Sequence, residues 1–137
     1  MTPFWPIDHT ADLGLRVRAQ SLDQLFVEAA KGLSLLLAEE FPVTPAGWRQ
    51  VEIEAPEAEI LLADFLSEIL SLAVVEGLVT VKVDLESLDQ TRIKANLGFM
   101  PVADLGGLKQ EIKAVTYHGL AIEQIDQGLE ATIIFDI

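Results

Sequence analysis

Apolar residues recur along this chain with two different periods. Leu13, Leu15 and Val17 alternate with Arg16 and Arg18, the two-residue period of a strand with one buried face. From Leu22 the spacing becomes helical: Leu25, Phe26, Ala29, Ala30, Leu33, Leu36 and Leu37 make one stripe that runs to about Glu40. Ser21 stands at the N-cap position, and Gln24 sits where a capping box needs it. Before the first clear strand, Phe4 to Ile7 reads as a short strand or its entry, with Pro3 and Pro6 arguing against a central ladder position. Phe41 to Gly47, with Pro42 and Pro45, reads as a loop.

The pattern then repeats. Val51 and Ile53 alternate with charged and amide residues over Trp48 to Ala55. Pro56 and Glu57 suit the first turn of a second helix, which Ile60, Leu61, Phe65, Ile69, Leu72 and Ala73 carry to about Glu76, and Gly77 terminates it. Strands dominate afterwards. Val79, Val81, Val83 and Leu85 point one way, and Thr80, Lys82 and Asp84 the other. Thr91 to Leu97 forms the next strand, after a hairpin link over Glu86 to Gln90. Gly98 to Gln110 reads as a loop, and Ile112 to Tyr117 fits either a strand or a short helix. Gly119 to Ile125 and Leu129 to Asp136 make a hairpin across Asp126-Gln127-Gly128. Two amphipathic helices and roughly six to eight strands predict an α+β fold: a two-layer sandwich in which both helices pack on one face of a mixed, mostly antiparallel sheet.

Composition narrows the setting. At 137 residues, half of them hydrophobic, the chain 1–137 is expected to be one domain with a real core. It has no cysteine, which excludes disulfides, thiolate zinc sites and cysteine nucleophiles and fits a cytoplasmic location. The start lacks the basic and apolar regions of a signal peptide, and Asp64, Glu68 and Glu76 interrupt the longest apolar segments before they reach membrane-spanning length. The formal net charge of −13 repels phosphate backbones, so any contact with RNA is expected to be indirect, through a basic protein that holds it. Solubility alone is the plainer account of that charge.

The chemistry-bearing residues gather at the ends of predicted strands. Asp8-His9-Thr10-Ala11-Asp12 precedes the first clear strand, and the last strand closes on Phe135-Asp136-Ile137. Were these two strands neighbours, the carboxylates of Asp12 and Asp136 and the terminal oxygens of Ile137 would meet. Such a cluster repels itself unless it is protonated or bridged by a cation, and an ion that prefers oxygen ligands, calcium above all, is its natural partner. The plainer alternative is that Asp12 ends a turn and Asp136 is a solvated strand end. Asp8 is also a residue type that closes a turn on Thr10. His9 suits a supporting role beside carboxylates better than direct ligation. A second cluster, Lys113, Thr116, Tyr117 and His118, would as a strand place Lys113, Val115 and Tyr117 on one face and Thr116 and His118 on the other. Gly106-Gly107 lacks the Lys-Ser/Thr ending and the helix of a phosphate loop. Arg16 and Arg18 read as a solvated strand face.

Three of these segments carry a resemblance that spans essentially the whole chain. Asp8-His9-Thr10-Ala11-Asp12-Leu13-Gly14, Ile112 to Leu120, and the terminal Asp136-Ile137 resemble the signature segments of the archease family. The resemblance implies a small metal-binding accessory protein, itself no enzyme. Such a protein activates the GTP-dependent ligase that joins RNA ends bearing a 3′-phosphate or 2′,3′-cyclic phosphate to 5′-hydroxyl ends, in tRNA splicing and RNA repair. It further implies that Asp12, Asp136 and Ile137 hold the divalent ion, calcium first, with magnesium or manganese as substitutes. Asp8, His9, Lys113 and His118 are the secondary candidates around that site. Two other readings belong to different classes: a chaperone-like or scaffold module that holds client proteins, and a metal-dependent hydrolase in which Asp12 and Asp136 activate water.

Overall fold

The computed structural model of the chain describes residues 3–9, 12–39 and 44–137, with the side chains of Asp8 and His9 outside that description. The elements follow in the order β1 (Phe4–His9), β2 (Asp12–Ala19), α1 (Leu22–Leu37), β3 (Gly47–Glu54), α2 (Ala58–Glu76), β4 (Leu78–Leu88), β5 (Arg92–Pro101), a single 3₁₀ turn (Val102–Leu105), β6 (Ala114–Val115), β7 (Ala121–Ile125) and β8 (Gly128–Asp136).

Local chemistry fixes the helix ends. Ser21 Oγ accepts the Gln24 main-chain N–H at 3.2 Å, and the Gln24 side chain reaches back to the N–H of Gln20, one residue short of a standard capping box. α2 stops at Gly77, whose φ of 68° is left-handed and whose N–H returns to the Leu72 carbonyl. A glycine takes that conformation without the steric penalty other residues meet. At the tip of the β4–β5 hairpin, Asp89 Oδ1 accepts the main-chain N–H groups of Thr91 and Arg92 and the Thr91 hydroxyl.

All ladders are antiparallel, and the α+β class stands. The strands divide into two hydrogen-bonded sheets, where the alternation pattern had suggested one. The first runs β1-β2-β8-β6, with β7 also paired to β8, and the second runs β3-β5-β4. Each sheet turns one face to the helices. Leu15, Val17, Ala131, Ile133 and Phe135 bury against them from the first sheet, and Val51, Val79, Ile93, Ala95 and Leu97 from the second. Phe26 of α1 and Phe65 of α2 meet in the middle with ring centroids 5.9 Å apart. Burying side chains of this size is the main favourable term in folding.

Four local expectations change. Helix α1 ends at Leu37, short of Glu40, and Glu40 itself lies with Phe41, Pro42 and Val43 outside the described residues. Gly98 to Pro101 is not loop; it extends β5, because its partners Thr80, Val79 and Leu78 on β4 continue the ladder. Ile112 to Tyr117 is strand for only two residues, Ala114 and Val115. Thr80 does not face outward: a bulge between Thr80 and Lys82 breaks the alternation, and Thr80 is buried beside Val79. Among the described residues, no helix is long and apolar enough to cross a membrane.

Candidate functional site

The two chain-end strands are direct neighbours. β2 and β8 pair antiparallel in the register Asp12↔Asp136, Leu13↔Phe135, Gly14↔Ile134. Leu13 and Phe135 face the helices, so Asp12 and Asp136, one position away, share the outer face of the sheet. Directly opposite residues place their Cβ atoms about 4.5–5.5 Å apart, and like charges so placed destabilise a sheet. The row continues on both sides. On β1, His9 stands opposite Asp12, and on β6, Ala114 stands opposite Asp136.

Neighbouring segments shape this end of the sheet. Asp136 is exposed, but its main-chain carbonyl is already engaged by the N–H of Lys113 at 2.7 Å. Asp136 can therefore offer a ligand through its side chain, and Ile137 follows at once, exposed. Lys113 is exposed and reaches the acidic end of β8 through its backbone. Thr116 turns its hydroxyl back to the Ile134 carbonyl at 2.9 Å, and the same hydroxyl oxygen accepts the His118 N–H at 3.2 Å. The Thr116 main-chain N–H reaches the same Ile134 carbonyl at 2.9 Å, and the chain turns after it, so the two-face alternation expected for Lys113 to His118 does not form. His118 is exposed, on the far side of Thr116 from Asp136.

The residues nearest the pair explain the Leu-Gly that follows Asp12. A Cβ on Gly14 would overlap Ile7 Cγ1 and lie 3.3 Å from Ile134 Cδ1. Ile7 and Ile134 close over Gly14 on the outer face, and that holds β1 against β2 up to His9↔Asp12. Beyond Gly14 the outer face is internally paired. Arg18 bonds Glu130 and lies over the Trp5 ring, 5.2 Å from its centroid, and Arg16 bonds Thr132. These arginines hold the sheet face together, in keeping with their reading as a solvated strand face.

Sequence reasoning missed one contact in this region. Tyr117, 59 % exposed, donates its hydroxyl to Asp64 Oδ1 of α2 at 2.6 Å and so ties the segment after β6 to the helix. That bond to the Asp64 carboxylate raises the Tyr117 hydroxyl above the usual phenol range. No local spacing signals this pair, because 53 positions separate its members.

Among the described residues no three His, Cys, Asp or Glu side chains form a metal-sized group. Asp12 and Asp136 are two, and a third donor has to come from Ile137 oxygens or from Asp8 and His9, whose side chains, like all of Thr10 and Ala11, lie outside the description. The donor set is oxygen-rich and sulfur-free, which suits a hard divalent ion. A cavity of about 630 Å³ at the opposite end of the same sheet, lined by Arg18, Gln20, Gln24 and Asp126, takes no part in this site.

This antiparallel α+β fold, with Asp12 of β2 opposite Asp136 of β8, belongs to a class of protein that has known members. The model of the archease protein family (MTH1598/TM1083) matches residues 4–137. The chain is 37 % identical over 125 residues to protein archease of Thermococcus gammatolerans, covering 88 % of each, and matches protein archease of Thermococcus kodakarensis equally well. The solution structure of Methanobacterium thermoautotrophicum protein 1598 superposes with a TM-score of 0.79 at 27 % identity over the whole of both chains. The crystal structure of an archease, possible chaperone, from Thermotoga maritima superposes with a TM-score of 0.64 at 21 % identity, covering 97 % of this chain and 96 % of that one. The chain belongs to the archease family.

Proposed function

We propose that this protein is an accessory factor that binds a divalent cation, calcium first, and activates a GTP-dependent RNA ligase in tRNA splicing or RNA repair. The observation that carries the reading is the Asp12↔Asp136 register across β2 and β8. Two carboxylates held opposite each other by main-chain pairing are costly unless something positive bridges them, and a bound cation converts that cost into affinity. Ile137 adds oxygen from the next position on the chain. Three protein ligands leave coordination positions for water or for a group of the partner.

The ligase holds the nucleophile and the nucleotide in this account. The accessory protein contributes a charged, cation-bearing surface that favours guanylylation and repeated turnover. The net charge of −13 supports a basic protein partner and argues against direct binding of RNA. The exposure of Lys113 and His118, on the segment that flanks Asp136, supports a part for them in contacting that partner. A cytoplasmic setting agrees with the absence of cysteine.

The test is RNA ligation with limiting ligase. Wild type is expected to raise the number of turnovers, and Asp12→Ala and deletion of Ile137 are each expected to abolish that stimulation. Stimulation by both variants equal to wild type would show that the acidic pair is not the working site.

A second reading, a chaperone-like holder of client proteins, draws on the last turn of α2. Val74 and Val75 are exposed there, Val75 at 77 %, and Val74 shares a groove of about 390 Å³ with Leu108 and Lys113. Suppression of aggregation of unrelated proteins, unchanged by a chelator, would favour it.

A further inference from the structure

The last turn of α2 is apolar on the side it turns to solvent as well as on the side it buries. Leu72 and Ala73 are buried, and the next two residues, Val74 and Val75, are 54 % and 77 % exposed. A helix that is hydrophobic all round belongs in a core. At an exposed helical position, valine also gives up rotamer freedom that a straight-chain polar residue keeps. Val75, so little covered, returns almost nothing to the fold for that loss.

Val74 does not stand alone. With Leu108, Gln110, Glu111, Ile112 and Lys113 it lines a groove of about 390 Å³. The segment forming the other wall is pinned by its main chain: the Lys109 N–H donates to the Leu37 carbonyl at 2.9 Å, and the Lys113 N–H to the Asp136 carbonyl at 2.7 Å. The groove is therefore preformed, and through Lys113 it runs into the acidic end of β8, where Ile137 is exposed in turn. Val74, Val75, Leu108 and Ile137 thus gather four of the seven exposed large apolar side chains among the described residues along one flank. A gathering of this kind marks an interaction surface, where scattered single residues mark nothing.

The charge around the groove selects the occupant. Helix α2 carries Glu59, Asp64, Glu68 and Glu76 and no Lys or Arg. Its C-terminus, the negative end of the helix dipole, has no basic side chain in its last turn. Glu111 adds an exposed carboxylate at the groove itself. Lys109 and Lys113 on the facing segment, and Arg49, which bonds Glu76, offset only part of this charge. An aliphatic side chain fits the groove, and a cation beside it meets the end of the helix. A second copy of this chain, itself at −13, fits such a surface poorly.

We propose that this flank docks a cationic amphipathic segment of the partner ligase, with an aliphatic side chain in the groove and Lys or Arg over the C-terminal end of α2. The identity of the partner rests on the ligase reading. What is added is a second contact, continuous with the acidic pair and independent of the ion.

The experiment measures affinity for the GTP-dependent RNA ligase of the same organism, with wild type, Val75→Lys, Asp12→Asn and the combined variant. Lysine is a better helix former than valine and complements the dipole at this end, so Val75→Lys is expected to melt no lower than wild type. Its calcium affinity is expected to match wild type, and its affinity for the ligase to fall about tenfold or more through the lost apolar anchor and the added like charge. Asp12→Asn is expected to lose calcium binding and to keep a ligase affinity that Val75→Lys lowers by the same factor. Ligase binding by Val75→Lys equal to wild type overturns the docking surface and leaves the ligase reading standing; no ligase binding by wild type overturns both. Val75→Lys that leaves ligase binding intact but abolishes suppression of aggregation of unrelated proteins assigns the flank to general clients. A wild-type dimer that Val75→Lys splits assigns it to a second copy. Either result overturns the proposal.

Discussion

At the scale of single residues, the bond from Tyr117 to Asp64 makes stability depend on pH at the alkaline end. Tyr117 donates to Asp64, and its hydroxyl is raised above the ordinary phenol range, first by that bond. A folded-state value above the unfolded one stabilises the fold fully below the unfolded phenol pKa of about 10, and that contribution disappears as pH rises through the folded value. Thermal stability is therefore expected to fall more steeply above about pH 10 in wild type than in Tyr117→Phe. Parallel slopes in an alkaline melting series would show that the bond does not persist in solution. Gly14 makes the complementary steric case. Its missing side chain admits Ile7 and Ile134, and Gly14→Val is expected to cost about 1–3 kcal/mol in denaturant unfolding by overpacking the outer face. The sequence shows Asp12, Gly14 and Asp136 plainly, but not the bond from Tyr117 to Asp64, since nothing local links positions so distant in the chain.

At the scale of elements, both helices were legible from their stripes and caps, and β2, β3 and β8 from alternation. The division into two sheets was not. Alternation reports which face of a strand is buried and says nothing about which strand it pairs with. The β5 extension through Pro101 was hidden because Gly98 and Pro101 are loop-forming types, and the ladder to β4 overrides that preference. Segment Ile112 to His118 resisted assignment for a physical reason: its strand is only two residues long, and the Thr116 hydroxyl oxygen then accepts the His118 N–H and closes a turn. The helices meet through Phe26 and Phe65, both fully buried. Phe65→Ala is expected to destabilise the protein by about 3–5 kcal/mol in chemical denaturation, the range for an aromatic deletion in a packed core. A loss under 1 kcal/mol, well below that range, would contradict the packing described here.

At the scale of the whole molecule, the fold brings the first strands and the last one into a single sheet, and the acidic pair is a product of that topology. Neither carboxylate is informative alone; the antiparallel register sets them opposite each other. The net charge of −13 extends the same theme over the molecule, and if the proposed basic ligase is the partner, association is expected to slow markedly as ionic strength rises and the Debye length contracts. Association rates that do not respond to salt would remove electrostatic steering from the account. The most direct measurement is calorimetric calcium titration of wild type, Asp12→Asn, Asp136→Asn and the double variant. If the two carboxylates share one ion, each single substitution removes most of the affinity and the double variant loses little more, a strongly non-additive cycle. Calcium affinity that survives the double substitution, or single losses that simply add, would contradict a cation held jointly by Asp12 and Asp136.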